Sequence, residues 1–391
     1  MRNPNIPESV REVASDGTKL RYAMMELSKQ YSDVIALGRG DPDLDTPPHI
    51  VEAAKAAMRD QRTGPTPVTG LPDLCEAIAA MLRRANHLPV ERDNVVVTTG
   101  GQEGIFLIMQ ALIDPGDEVL VPDPRYTSYD DAIHHAGGKM VMVPTSPEDA
   151  FDLRPEAVEA RITPQTKALL IVTPSNPTGG ILTEASARGI AEVAIRHNLI
   201  VISDEIYSRF VFEGFQHVSI GALPGMAERT ITLSGFSKTY AMTGWRVGYV
   251  AGPVNLIEAI TAIKAQTTGP VATVSQVAAL AAATGPDEPI QAFYKIYQER
   301  REIMKAGLSE MGLDIGQPRG GFFIWPNSGS TGLHATELSY LMLKDARVLI
   351  FPGAGFGEGW DSYLRSTVLQ PTELLREAVE RMRPVIARYQ R

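Results

Sequence analysis

A second cysteine is missing: Cys75 stands alone among 391 residues. No intrachain disulfide and no thiolate metal cluster can form, which suits a reducing, cytoplasmic setting. No apolar run approaches the roughly 20 residues of a membrane span. The opening Met1-Arg2-Asn3-Pro4-Asn5 leads into a charged stretch without an apolar signal core. Basic residues are in deficit, 37 against 46 acidic, for a formal charge of −9, which argues against nucleic acid or an anionic membrane surface as a partner. The seven histidines lack ligand spacing; His134 and His135 are adjacent and on a strand would point apart, so no metal site is expected. Internal repeats, low-complexity tracts and long linkers are absent as well.

What remains is ordinary globular composition, 44% hydrophobic and 21% charged, at a length where a single core stops growing and two domains are the natural expectation. From about residue 94 to 251, short Val/Ile/Leu runs at 94–97, 118–121, 139–143, 167–172, 199–203, 230–233 and 246–250 alternate with helical patterns such as 102–112 and 185–197. Continuous apolar runs fit strands buried on both faces, so an α/β class with a mainly parallel seven-stranded sheet is predicted. The last hundred residues read as a long helix at 290–311, strands at 321–325 and 363–367 and a closing helix at 371–389. The segment before Asp45 shows no sheet pattern and is expected to pack on that part. The predicted division is a large domain over 46–288 and a smaller α+β domain built from 1–45 and 289–391.

Chemistry concentrates at the predicted strand ends, where open α/β sheets bind ligands. Lys238 follows Ser234-Gly235-Phe236-Ser237, and Arg246 follows Thr243-Gly244-Trp245. A lysine among small residues can form a Schiff base with an aldehyde, and a nearby arginine can clamp a phosphate. Pyridoxal 5'-phosphate carries both groups. Thr99-Gly100-Gly101-Gln102 opens a helix whose free N–H groups suit a phosphate. Asn176, between Pro174 and Pro177, could donate to a phenolate oxygen, and the Asn176–Pro177 bond could be cis. Asp204 could hold a pyridine nitrogen protonated, with Tyr207 three residues on. Taken singly, each motif reads more economically as a turn, an acidic loop or a core tyrosine; together, matching residue types at successive strand ends are not an accident.

These motifs resemble those of class I/II aminotransferases of pyridoxal-phosphate fold type I, the aspartate aminotransferase-like family. The similarity runs from Ile35-Ala36-Leu37-Gly38-Arg39-Gly40-Asp41-Pro42 through Val68-Thr69-Gly70-Leu71-Pro72, Asp114-Pro115-Gly116-Asp117 and Pro122-Asp123-Pro124-Arg125-Tyr126 to Pro318-Arg319-Gly320-Gly321-Phe322 and Tyr363-Leu364-Arg365-Ser366. It implies that Lys238 holds the coenzyme as an aldimine and then moves a proton, that Asp204 pairs with the ring nitrogen, and that Asn176 and Tyr207 bond its phenolic oxygen. Gly100, Gly101, Gln102 and Arg246, with Ser237 or Ser234, would bind the phosphate, and Tyr126 would stack on the ring. Gly40 and Asn176 would face the substrate and Arg365 would fork onto its α-carboxylate; without the resemblance, Arg365 reads as a surface charge on an edge strand.

Two positions depart from the family pattern. A tyrosine that usually reaches the neighbouring subunit's phosphate is replaced by Pro65, which has no hydroxyl; the missing bond could come from the 266–275 stretch. Arg39 stands where a small or apolar residue is usual, so it either attracts a second substrate carboxylate or forms a solvated pair. The expected activity is transfer of an amino group from an L-amino acid to a 2-oxo acid by a ping-pong cycle, in a homodimer with sites at the interface. The alternative is a β-lyase using the same lysine, aspartate and arginine. A non-catalytic sensor is disfavoured, because the family pattern begins within about forty residues of Met1 and no DNA-binding region is expected ahead of it.

Overall fold

The computed structural model describes residues 16–390; the first fifteen residues of the predicted 1–45 segment lie outside the described residues. Seven strands form one sheet in the spatial order Val95–Thr98, Gly248–Ala251, Thr230–Gly235, Ile200–Asp204, Thr166–Val172, Glu118–Asp123, Lys139–Pro144. All neighbours are parallel except Gly248–Ala251, which runs antiparallel to both of its partners.

Period-2 alternation sends successive side chains to opposite faces, and both faces are covered. Val95, Val97 and Tyr249 pack with Leu74, Ile78 and Leu82 of the helix Pro72–Asn86. Val96 and Val250 point the other way, onto Ile105 and Ile108 of the helix Gly100–Leu112. Two-sided burial is why the strands read as unbroken apolar runs. Each fully buried Val, Leu or Ile contributes about 1.5–3 kcal/mol relative to exposure.

A second region holds a three-stranded antiparallel sheet, Phe351–Pro352, Leu364–Thr367, Phe323–Ile324, with Leu364–Thr367 in the middle. Against it pack the helices Glu288–Glu310 and Thr372–Ala387. The closing helix buries Leu375, Val379, Met382 and Ile386, spaced four, three and four residues apart along one face. Tyr207, Phe210 and Phe212, which follow the central strand Ile200–Asp204, belong to this second core. The polypeptide at the sheet's carboxyl edge is therefore held by both cores.

Three sequence expectations need correction. The segment before Asp45 does contain a strand: Ile35–Ala36 pairs in parallel with Val348–Leu349, too short for alternation to show. His134 and His135 end the helix Ser128–His135 rather than lying on a strand. Arg246 is not in a strand either. Its φ of 55° places it in the left-handed region, where it closes the single turn Thr243–Trp245, and the strand starts at Gly248.

Candidate active site

The reversed strand explains how Arg246 reaches the site. Gly248 pairs with Thr98 on one side and Gly235 on the other, so the start of this strand lies at the carboxyl edge of its neighbours. There Arg246 Nη2 donates to Thr99 O at 3.3 Å and Nη1 to Thr243 O at 3.2 Å. Gly100, at φ +77°, lies beneath the guanidinium: a Cβ added to it would stand 2.5 Å from Arg246 Nη2. Only glycine fits that turn. The helix Gly100–Leu112 begins here, with Gly101 and Gln102 in its first turn and their N–H groups free of intrahelical partners.

Above this cradle lies a cavity of about 520 Å³. Of the residues expected to hold coenzyme or substrate, all but Gly100 line it: Arg39, Gly40, Gly101, Gln102, Tyr126 and Asn176, then Asp204, Tyr207, Ser237, Lys238, Arg246 and Arg365. Ser234 lines it too, although its hydroxyl donates to Glu205 O at 3.3 Å.

Lys238 Nζ donates to Gly40 O at 2.8 Å and to Asp41 Oδ1 at 3.1 Å. Burial holds its amine below the usual lysine range, with Asp41 opposing that shift. Asp204 ends the strand Ile200–Asp204. Burial pushes its carboxyl up to about 6, although Tyr129 and the Ile206 N–H, both donating to it, pull the other way. Tyr207 sits edge-on to Phe322 and Phe323, and burial followed by the Asp204 charge raises its hydroxyl.

Arg365 lies on the middle strand and is 5% exposed, so the edge-strand surface description does not apply. Its Nη1 donates to Asn176 Oδ1 at 3.0 Å and its Nη2 to Gly38 O, while Nε has no partner among the described residues. The rings of Phe323, Phe351 and Phe356 surround it at 4.8, 5.5 and 4.5 Å. Burial first, then Arg21, lowers it to about 9, so it stays charged at neutral pH. The Asn176–Pro177 peptide is cis.

Arg39 is at the cavity mouth, its side chain 62% exposed and 4.0 Å from Asp41. Pro65 is exposed and outside the lining; its loop is tied down by Thr273, which donates to Gly64 O at 2.6 Å, and by Gln276, which donates to Thr66 Oγ1 at 2.8 Å.

Sequence reasoning missed Tyr129, Asp41 and Arg21. Tyr129 OH donates to Asp204 Oδ2 at 2.8 Å; its signal was the i, i+3 spacing from Tyr126. Asp41, beside Gly40 in the N-terminal segment, accepts from Lys238 Nζ at 3.1 Å, a contact its local sequence does not announce. Arg21 donates to Gly355 O at 2.5 Å and to Thr127 Oγ1 at 2.8 Å, and nothing local in Lys19-Leu20-Arg21-Tyr22 foretells that contact.

The chain matches the family described as aminotransferase class I and II over residues 32–382. It is 40% identical over 368 residues to an aspartate aminotransferase of Pyrococcus abyssi, covering 93% of this chain and 94% of the relative. It is 38% identical over 366 residues to aromatic-amino-acid aminotransferase 2 of Thermococcus litoralis, with the same coverage. Among solved structures, the aspartate aminotransferase of Thermus thermophilus with maleate superposes with a TM-score of 0.91 at 36% identity, covering 98% of this chain and all of that one (100%).

Proposed function

The chain belongs to the class I and II aminotransferase family and is an amino-group transferase, and on that premise we propose that it works with pyridoxal 5'-phosphate seated in the 520 Å³ cavity. Members of this family are generally dependent on that coenzyme. The residues fit it. The bare Gly100 turn under Arg246, with the free N–H groups of Gly101 and Gln102, makes an anion cradle. The buried Asp204 takes two hydrogen bonds and no ion pair among the described residues, so it is free to hold a cationic ring nitrogen. When bound, the coenzyme supplies an aldehyde for amino-group exchange and a ring that takes up the electron pair of the substrate Cα–H bond.

The chain's own residues do the rest. Lys238, its amine held below the usual lysine range by burial, would hold the coenzyme through Nζ and, once released, would carry the Cα proton on that atom. Asp204, steadied by Tyr129, stays anionic beside a positive ring nitrogen. Asn176 turns its Nδ2 toward a phenolic oxygen because its Oδ1 is engaged by Arg365, and Tyr207 donates to that oxygen beside it. Arg365 meets the substrate α-carboxylate with a planar fork. Tyr126 covers the ring face, and Ser237 adds a hydroxyl at the phosphate. Gly40 and Arg39 face the substrate from the N-terminal segment, Arg39 offering its charge to a second carboxylate. Substrates are amino acids and 2-oxo acids, and we read the functional unit as a homodimer.

The observation that carries this reading is the convergence of Lys238, Asp204, Arg246 and Arg365 on one cavity from positions spread between residues 204 and 365. A donor screen tests it: aspartate, glutamate, alanine, an aromatic and a branched-chain amino acid, each paired with 2-oxoglutarate, pyruvate and oxaloacetate. With an amino acid and no oxo acid, amine uptake should stop at one equivalent per site. Sustained release of ammonia and pyruvate would sink transamination in favour of elimination.

A further inference from the structure

Glu103 and Lys264 line no part of the cavity, yet they form a deeply buried ion pair close to it, their side chains 8% and 0% exposed. Lys264, on the helix Val254–Thr267, is fully buried, and its Nζ lies 3.0 Å from both carboxylate oxygens of Glu103 and 3.3 Å from Thr268 Oγ1. Glu103 sits in the first turns of Gly100–Leu112 and folds back so that its Oε2 accepts the N–H of Thr99, the residue before the helix. The carbonyl of Thr99 in turn accepts from Arg246. One unbroken chain of polar contacts therefore runs from Lys264 through Glu103 and Thr99 to the guanidinium that caps the Gly100 turn.

A carboxylate in the first turn of a helix competes for the same N–H groups and the same positive end of the dipole that an incoming anion uses. Unneutralised, Glu103 would repel a phosphate. Lys264 cancels its charge and fixes the rotamer that holds Thr99. We propose that the Lys264–Glu103 pair is a positioning device for the phosphate end of the coenzyme, acting through Thr99 and Arg246 and never touching the ligand. This rests on the coenzyme assignment given above.

The test compares two ligands that differ only in the phosphate, pyridoxal 5'-phosphate and pyridoxal, titrated into the full chain freed of coenzyme. In E103L/K264M the tie to Thr99 is gone but no unpaired charge is buried, an exchange folds tolerate well. Its dissociation constant for pyridoxal 5'-phosphate should rise about tenfold or more, as when an outer partner of a ligand-holding group is lost, while that for pyridoxal stays unchanged. K264M alone should lose still more phosphate-dependent affinity, because the bare Glu103 carboxylate remains, and K264R should restore most of it. Unchanged phosphate-ligand binding in E103L/K264M, or equal weakening of both ligands, overturns the proposal. A wild-type chain that binds neither compound overturns the coenzyme assignment itself.

Discussion

Arg365 Nη1 donates to Asn176 Oδ1 at 3.0 Å, so the guanidinium assigned to the substrate also decides which way the Asn176 amide faces. In the proposed reading, substrate grip and coenzyme contact are thereby one unit. Arg365→Ala should cost about 1.5–3 kcal/mol of transition-state stabilisation, the worth of a hydrogen bond to a charged group. Asn176→Ala and the double variant complete a cycle in kcat/KM. Because the two residues touch, the double variant should lose less than the two single losses added together; strict additivity would show that they act separately.

Lys238→Ala should abolish the visible absorbance of the bound coenzyme and lower turnover by at least about 10²–10⁴, the range for losing a positioned proton-transfer group. Spectra and steady-state rates of the same preparation check this together. Full activity in the variant would mean another amine does the work.

Tyr129→Phe removes a donor to Asp204 Oδ2 at 2.8 Å. That donation holds the Asp204 carboxyl down, so its loss should move the acid limb of the kcat–pH profile to higher pH and cut kcat several-fold. An unmoved acid limb would separate Tyr129 from the titration of Asp204.

The coenzyme-free protein should show a particular dependence of stability on pH. Burial raises Asp204 from an ordinary value near 3.8 to about 6, so between those values the folded state binds more protons than the unfolded one. Its contribution therefore falls as pH rises through about 4 to 6 and is lowest above 6. Denaturant melts of wild type and Asp204→Asn across this range should diverge, the variant gaining relative stability toward neutral pH. A constant difference would contradict the raised value.

Cys75 is buried, and burial pushes its thiol up to about 11. Thiol reagents at pH 8 should label it only as fast as the protein opens. Immediate stoichiometric labelling of the native chain would contradict that burial.

Much of this was legible in the sequence. The helices expected at 102–112, 185–197, 290–311 and 371–389 and the long apolar strands agree with the structure to within a few residues, the strands because two-sided burial leaves an uninterrupted signal. Asn176, Asp204 and Lys238 stood out in the sequence because they lie at or just past strand ends, where open sheets position chemistry. What escaped depended on distant pairing. Ile35–Ala36 is a strand only because Val348–Leu349 lies beside it. Arg246 took the left-handed turn because the reversed strand Gly248–Ala251 requires it to enter from the carboxyl edge. Tyr129 and Arg21 acquire meaning only through Asp204 and Gly355, and no local pattern reports such contacts.

The cavity wall begins at Thr18 and is not complete until Arg365, so it uses nearly the whole polypeptide. During synthesis, a nascent chain can assemble most of the seven-stranded sheet long before its last strand emerges. It cannot own a complete binding wall until Leu364–Thr367 has joined its two short neighbours. Capture of the proposed coenzyme should then be a late event, delayed by long-range loop closure, and a chain truncated ahead of residue 365 should remain both empty and open to proteolysis.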